Sequence, residues 1–242
     1  MARDLVVNEI YLSVQGESSF AGFPCVFIRL TGCDLRCSYC DTAYAFTEGK
    51  RMAIPAILER VAEFANGFRT SPGTTRFPLV ELTGGEPLLQ SGSLDLMREL
   101  GDAGYTLLLE TSGAHDLSRV DPRVHRIVDL KCPSSGESGR NRFENLRLLK
   151  PGDELKFVIA TDEDYRWSKE QLERWKPNCP VLFSWAAPLM EEQRDESLRA
   201  GPKTLLLLSR QELAERILAD ALPVRFQVQL HKVIWKPETR GV

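Results

Sequence analysis

TGCDLRCSYCDT, residues 31–42, sets three cysteines, Cys33, Cys37 and Cys40, within eight positions. Cysteine thiolates bind soft metals and iron–sulfur clusters. The apolar run 26–31 that leads into the segment reads as a strand, so the cysteines lie in a loop at a strand's carboxyl end. Such a loop can turn three sulfurs onto one group. Three protein ligands leave one iron of a cubane open, and an open iron can bind a substrate rather than only pass electrons. Spacing alone also admits a structural zinc, with Cys132 or a histidine as fourth ligand. The clustering argues against three unremarkable buried thiols.

Outward from this loop the chain alternates strands with helices. Strand-like runs cover 5–14, 26–31, 79–83, 105–110, 126–130, 155–159, 181–185 and 225–230. Helix-like runs cover 54–64, 94–103, 168–175 and 211–219. Ile54, Ile57, Leu58, Val61 and Phe64 recur at helical spacing. Ser209 and Glu212 form a capping box for the last helix. This alternation predicts an α/β fold with a mostly parallel sheet and right-handed crossovers. Ligands of such folds gather at the carboxyl ends of the strands. The other conspicuous segments, TGGEP (83–87), ETSG (110–113) and LKCPSSG (130–136), all sit there.

The 242 residues are 43% hydrophobic and 27% charged, as expected for one domain spanning 1–242. A net charge of −3 argues against a nucleic-acid partner. No run of about eighteen apolar residues exists to span a membrane, and the N-terminus has no signal-peptide pattern. Clustered rather than spread cysteines fit a reducing, cytoplasmic setting.

Cys-x3-Cys-x2-Cys with an aromatic residue, Tyr39, before the third cysteine resembles the signature of the radical S-adenosylmethionine (SAM) superfamily. TGGEP alone reads as a glycine turn that lets backbone approach a ligand closely. After the cysteine loop it resembles that superfamily's GGEP element, in which Glu86 and its glycines meet the SAM amino group. A narrower resemblance covers nearly the whole chain. Gln15-Gly16-Glu17, Gly22-Phe23-Pro24, Phe27-Ile28-Arg29, Cys40-Asp41-Thr42 and the closing VQLHK (228–232) are similar to the pattern of the 7-carboxy-7-deazaguanine synthases.

That resemblance implies a partial radical SAM β/α barrel and a 4Fe–4S cluster on Cys33, Cys37 and Cys40. It implies ring contraction of 6-carboxy-5,6,7,8-tetrahydropterin to 7-carboxy-7-deazaguanine with loss of ammonia, on the route to queuosine in tRNA. SAM, Mg2+ on Thr42, a flavodoxin- or ferredoxin-type electron donor and a homodimer are implied with it. Val14, Gln15, Gly16, Glu17, Arg29, Thr83 and His231, the last on a closing strand, would hold the pterin. Tyr39, Cys40, Asp41, Gly85, Glu86, Asp129, Leu130, Lys131, Ser184, Trp185, Ala186 and Ala187 would line the SAM side. Arg29 suits a carboxylate of the substrate, although a lone strand arginine also pairs with protein carboxylates. His115, His125, Cys25, Cys132 and Cys179 read as packing. The chain has Ser18 where the family often has Gly, and it continues past Pro237. The competing enzyme class is a glycyl-radical-enzyme activating protein, which shares the cysteine loop and GGEP but needs neither QGE nor F-x-R-x-x-G-C.

Overall fold

A computed structural model describes residues 4–68, 76–202, 207–236 and 239–242. The strands are β1 (Asp4–Val14), β2 (Pro24–Leu30), β3 (Lys50–Ala53), β4 (Leu79–Gly84), β5 (Leu107–Thr111), β6 (His125–Asp129), β7 (Glu154–Ile159), β8 (Val181–Trp185) and β9 (Arg225–Gln227). The helices are α1 (Ile54–Ala65), α2 (Gly92–Asp102), α3 (Asp162–Trp175), α4 (Arg210–Ala219) and α5 (His231–Ile234). All nine strands form one sheet in the order β3-β1-β2-β4-β5-β6-β7-β8-β9. β1 pairs antiparallel with β2 and β3, and every later pair is parallel. The ends of that order, β3 and β9, are both edges. The sheet is therefore open, a partial barrel. No described helix is long and apolar enough to cross a membrane.

Period-two alternation divides the sheet into two chemically different faces. Val26, Ile28, Leu30, Val80, Leu82, Leu107, Leu109 and Val128 turn to one face and form a core with Ile54, Ile57 and Val61 of α1 and Leu96, Met97 and Leu100 of α2. Phe157, Ile159, Val181 and Phe183 continue that layer against Tyr165 of α3 and Leu213 and Ile217 of α4. The opposite face has an apolar cluster near the strand starts, formed by Cys25, Phe27, Leu79, Leu108 and Ile127. Toward the carboxyl ends the same face carries Arg29, Glu81, Thr83, Glu110, Asp129, Lys156 and Ser184, all lining one cavity. Register supports this: Phe27 lies beside Glu81, Arg29 beside Thr83 and Asp129 beside Lys156.

Most boundaries shift from the sequence reading by one or two residues, and a few places differ more. The final strand ends at Gln227, not 230, and His231 opens α5 instead of lying on a strand. The reason is polar pairing. Gln229 Nε2 donates to Glu17 and Asp41 at 2.9 and 3.0 Å, and Lys232 Nζ pairs with Asp41 at 2.6 Å, which bends the chain over the cavity. Helix α3 starts at Asp162, six residues earlier than predicted, because Thr161 and Asp164 make a capping box ahead of a polar first turn. β3 is a short, mostly exposed edge strand without a hydrophobic pattern. The Ser209–Glu212 capping box forms as expected.

Candidate active site

The cysteine loop leaves β2 and is tied down on both sides. Arg36 Nη1 donates to the carbonyls of Cys33 and Leu35, each at 2.7 Å, and the Arg36 amide donates to Glu137 Oε1 at 3.0 Å. Ser38 donates from its amide to Ser135 O at 3.0 Å and from its hydroxyl to Ser134 O at 2.7 Å. Asp34 meets His115 Nε2 at 3.2 Å and Arg140 at 2.6 Å, so His115 braces the loop from outside the cavity. Cys33, Cys37 and Cys40 all line the cavity, with Tyr39, Asp41 and Thr42 among them. Burial lifts the Cys33 and Cys37 thiols to about 11. The Cys132 sulfur is fully buried, 3.4 Å from Ser168 Oγ, and does not join them.

The TGGEP turn lies directly on this loop. Gly85 N donates to Leu30 O at 3.1 Å and Glu86 N to Gly32 O at 2.8 Å. A Cβ on Gly85 would collide with Gly32 O, and Gly84 has φ +147° with its missing Cβ against Leu30 O. Both glycines are therefore dictated by the close approach of two backbones. Gly85 lines the cavity, but Glu86 does not. Its fully buried carboxylate accepts from Leu88 N, Thr111 Oγ1, Ser112 N and Ser112 Oγ at 2.6–3.0 Å. Those bonds fill its acceptor sites and stitch the turn to β5, so the expected contact of the Glu86 side chain with an ammonium is corrected. Leu130 is likewise corrected. Alternation turns Asp129 and Lys131 into the cavity and Leu130 into the apolar layer beside α3.

The QGES segment is shaped by hydrogen bonds. Buried Gln15 donates from Nε2 to Glu81 Oε2 at 3.1 Å and accepts at Oε1 from the amides of Glu17 and Ser18, at 2.9 and 3.0 Å. Ser18 is fully buried and its hydroxyl accepts from Phe20 N, so a serine closes this loop. The absent Cβ of Gly16 makes room for His231, whose Nδ1 it would meet at 3.0 Å. Val14, Gly16, Glu17 and His231 line the cavity with Arg29 and Thr83. Arg29 donates from Nε to Glu9 at 2.7 Å and from Nη2 to the Tyr11 hydroxyl at 2.8 Å.

Charge is dense here. Burial works against the Asp41 carboxylate, yet Lys232 and Gln229 outweigh it and hold the group down at about 2. Burial and the neighbouring Glu110 push Glu81 well above the ordinary carboxyl range. Lys131 Nζ pairs with Asp129 at 2.8 Å. Ser184, Trp185, Ala186 and Ala187 line the wall at the end of β8, where the Trp185 indole donates to Leu208 O at 2.9 Å. The cavity measures about 680 Å3, in the range of small-molecule sites. Sequence reasoning missed Glu81, Glu110 and Lys156. Their signal is a charge inside a largely apolar strand, as in LVELTG, LLLET and ELKFVI.

Across 237 residues the chain is 43% identical to the 7-carboxy-7-deazaguanine synthase of Koribacter versatilis, covering 98% of this chain and 99% of that one. The chain belongs to the 7-carboxy-7-deazaguanine synthase family. The synthase of Chlorobaculum tepidum is also 43% identical, over 98% of this chain and 97% of its own. No family model matches. The fold is that of the Escherichia coli QueE crystal structure, with a TM-score of 0.68 at 21% identity over 94% of this chain and 95% of that one. Streptococcus suis SuiB shares it more distantly, with a TM-score of 0.55 at 12% identity over 85% of this chain and 48% of that one. Full-length identity to synthases sets the glycyl-radical activating alternative aside: this is an enzyme of 7-carboxy-7-deazaguanine formation.

Proposed function

We propose that the cavity binds 6-carboxy-5,6,7,8-tetrahydropterin beside Arg29, Glu17 and Thr83, and SAM beside the cysteine loop, Asp129, Lys131 and the β8 end. The product is 7-carboxy-7-deazaguanine, with loss of ammonia. The observation that carries this reading is that the three thiols and the two groups of polar residues line one continuous cavity.

The donor set suits an iron–sulfur cluster. All three ligands are soft thiols. All three come from one loop and line the same cavity. A bound cluster would supply the electron that cleaves SAM, and hence the hydrogen abstraction. The protein's own part is positioning. Glu9 and Tyr11 hold Arg29 by Nε and Nη2, which leaves Nη1 as the edge that meets the pterin carboxylate. Ionised Glu17, with Lys156 and Gln229 on its two oxygens, offers its remaining lone pairs to ring N–H groups. Lys232 and residues 239–242 also line the cavity. Pro237 lies outside the described residues.

Thr42 lines the cavity with its hydroxyl 3.8 Å from the Cys40 sulfur, and we assign it to Mg2+, a hard cation that prefers oxygen. A flavodoxin- or ferredoxin-type donor, a homodimer and a cytoplasmic setting complete the reading. The test is a magnesium titration of pterin turnover by the parent and Thr42→Ala, both with a full cluster. The variant should need at least tenfold more magnesium. Superimposable titrations would remove Thr42 from the site.

A further inference from the structure

Lys156 of β7 is 3% exposed, yet it faces three carboxylates that come from three different places. Its Nζ lies 3.2 Å from Glu17 in the β1–β2 loop, is hydrogen-bonded to Glu110 on β5, and is 3.9 Å from Asp129 on β6. Each of these carboxylates reaches onward. Glu17 accepts from Gln229, Glu110 accepts from the Thr83 hydroxyl at 3.4 Å, and Asp129 holds Lys131 at 2.8 Å. Glu17, Glu110 and Thr83 belong to the pterin side of the cavity, and Asp129 and Lys131 to the SAM side. Lys156 stands between them and lines the cavity itself.

A purely structural ammonium needs one buried carboxylate. Gathering three costs desolvation and like-charge repulsion, which a well-packed apolar residue would avoid. On the reading of the cavity given above, we propose that Lys156 is a positioning residue for the ring contraction, fixing the pterin-side carboxylates relative to the SAM side. Burial opposes ionisation of Glu17, and Lys156 is the largest influence holding it low. The charged and titratable groups around this hub are Glu17, Glu110, Asp129, Glu81, Lys131, Asp41 and His231. Without the ammonium, Glu17 would lose its main opposite charge and take up a proton at higher pH.

The experiment compares cluster-loaded parent, Lys156→Gln, Lys156→Arg and the charge-balanced double variant Lys156→Met/Glu110→Gln. It reads kcat and KM for the pterin against pH, and SAM binding by calorimetry, per folded chain. Lys156→Gln should raise the pterin KM and lower kcat, each at least tenfold. It should also move the acid limb of kcat/KM to higher pH and change SAM affinity less than threefold. Lys156→Arg should return the acid limb toward the parent's position. The double variant should fold like the parent and remain at least tenfold impaired. Parent-like kcat/KM in Lys156→Gln, or full recovery in the double variant, would reduce Lys156 to charge compensation and overturn the proposal. A parent that binds SAM but never converts the pterin would instead refute the substrate reading.

Discussion

Arg29 is held by two protein acceptors at once, and this changes what its substitution should do. A lysine keeps the charge but has no fork, so it cannot satisfy Glu9, Tyr11 and a substrate carboxylate together. Arg29→Lys should weaken pterin binding about 10- to 100-fold, as expected for losing a charge-assisted hydrogen bond. It should also lower the melting temperature, because Glu9 loses the Nε hydrogen bond and keeps only that from the Tyr44 hydroxyl. Calorimetric titration decides: a lowered melting temperature with unchanged pterin affinity would confine Arg29 to the Glu9 pair. Glu81 allows a test by pH. Burial, then Glu110, raise its carboxyl well above the ordinary value. A group with a raised folded value stabilises fully below its unfolded value, about 4.3, and loses that contribution as pH climbs through the folded value. Glu81→Gln cannot ionise. Its melting temperature relative to the parent should therefore improve steadily as pH rises above about 4.3. A pH-independent difference would mean that Glu81 ionises normally in the fold.

At the scale of elements, the glycine turn after β4 and the cysteine loop after β2 form one unit. Parallel pairing of β2 with β4 brings their ends together, and only glycines allow the backbones to touch. Gly85→Ala should lose bound iron after anaerobic reconstitution and melt lower than the parent. Parent-level iron in a folded Gly85→Ala would show that the turn does not support the loop. These motifs were legible in the sequence because short spacings such as C-x3-C-x2-C and GGEP encode local geometry. Residues whose roles depend on distant partners were not. Glu86 reads as a ligand until Thr111 and Ser112, twenty-five and twenty-six positions away, are seen to take its oxygens. The 228–231 segment reads as a strand until Asp41 and Glu17 are seen to bend it.

At the scale of the molecule, one alternation rule explains both the core and the site. Apolar residues on one face of the sheet bury the helices. On the other face β2, β4 and β5 run from apolar starts to polar or charged ends, and those ends line the cavity. The strand–helix alternation made the parallel sheet predictable. Its open edges and the convergence of Lys156 with three carboxylates depend on contacts from 27 to 139 residues apart and left only a few charges within apolar strands as a trace. The central claim is that this cavity joins a cluster on Cys33, Cys37 and Cys40 to pterin ring contraction. It is tested most directly by anaerobic incubation of reconstituted parent and Cys37→Ala with reductant, SAM, magnesium and 6-carboxy-5,6,7,8-tetrahydropterin, followed by mass spectrometry. The parent should form 7-carboxy-7-deazaguanine and Cys37→Ala none. Equal product from both, or pterin left intact by a parent that carries its full cluster and cleaves SAM, would contradict the account.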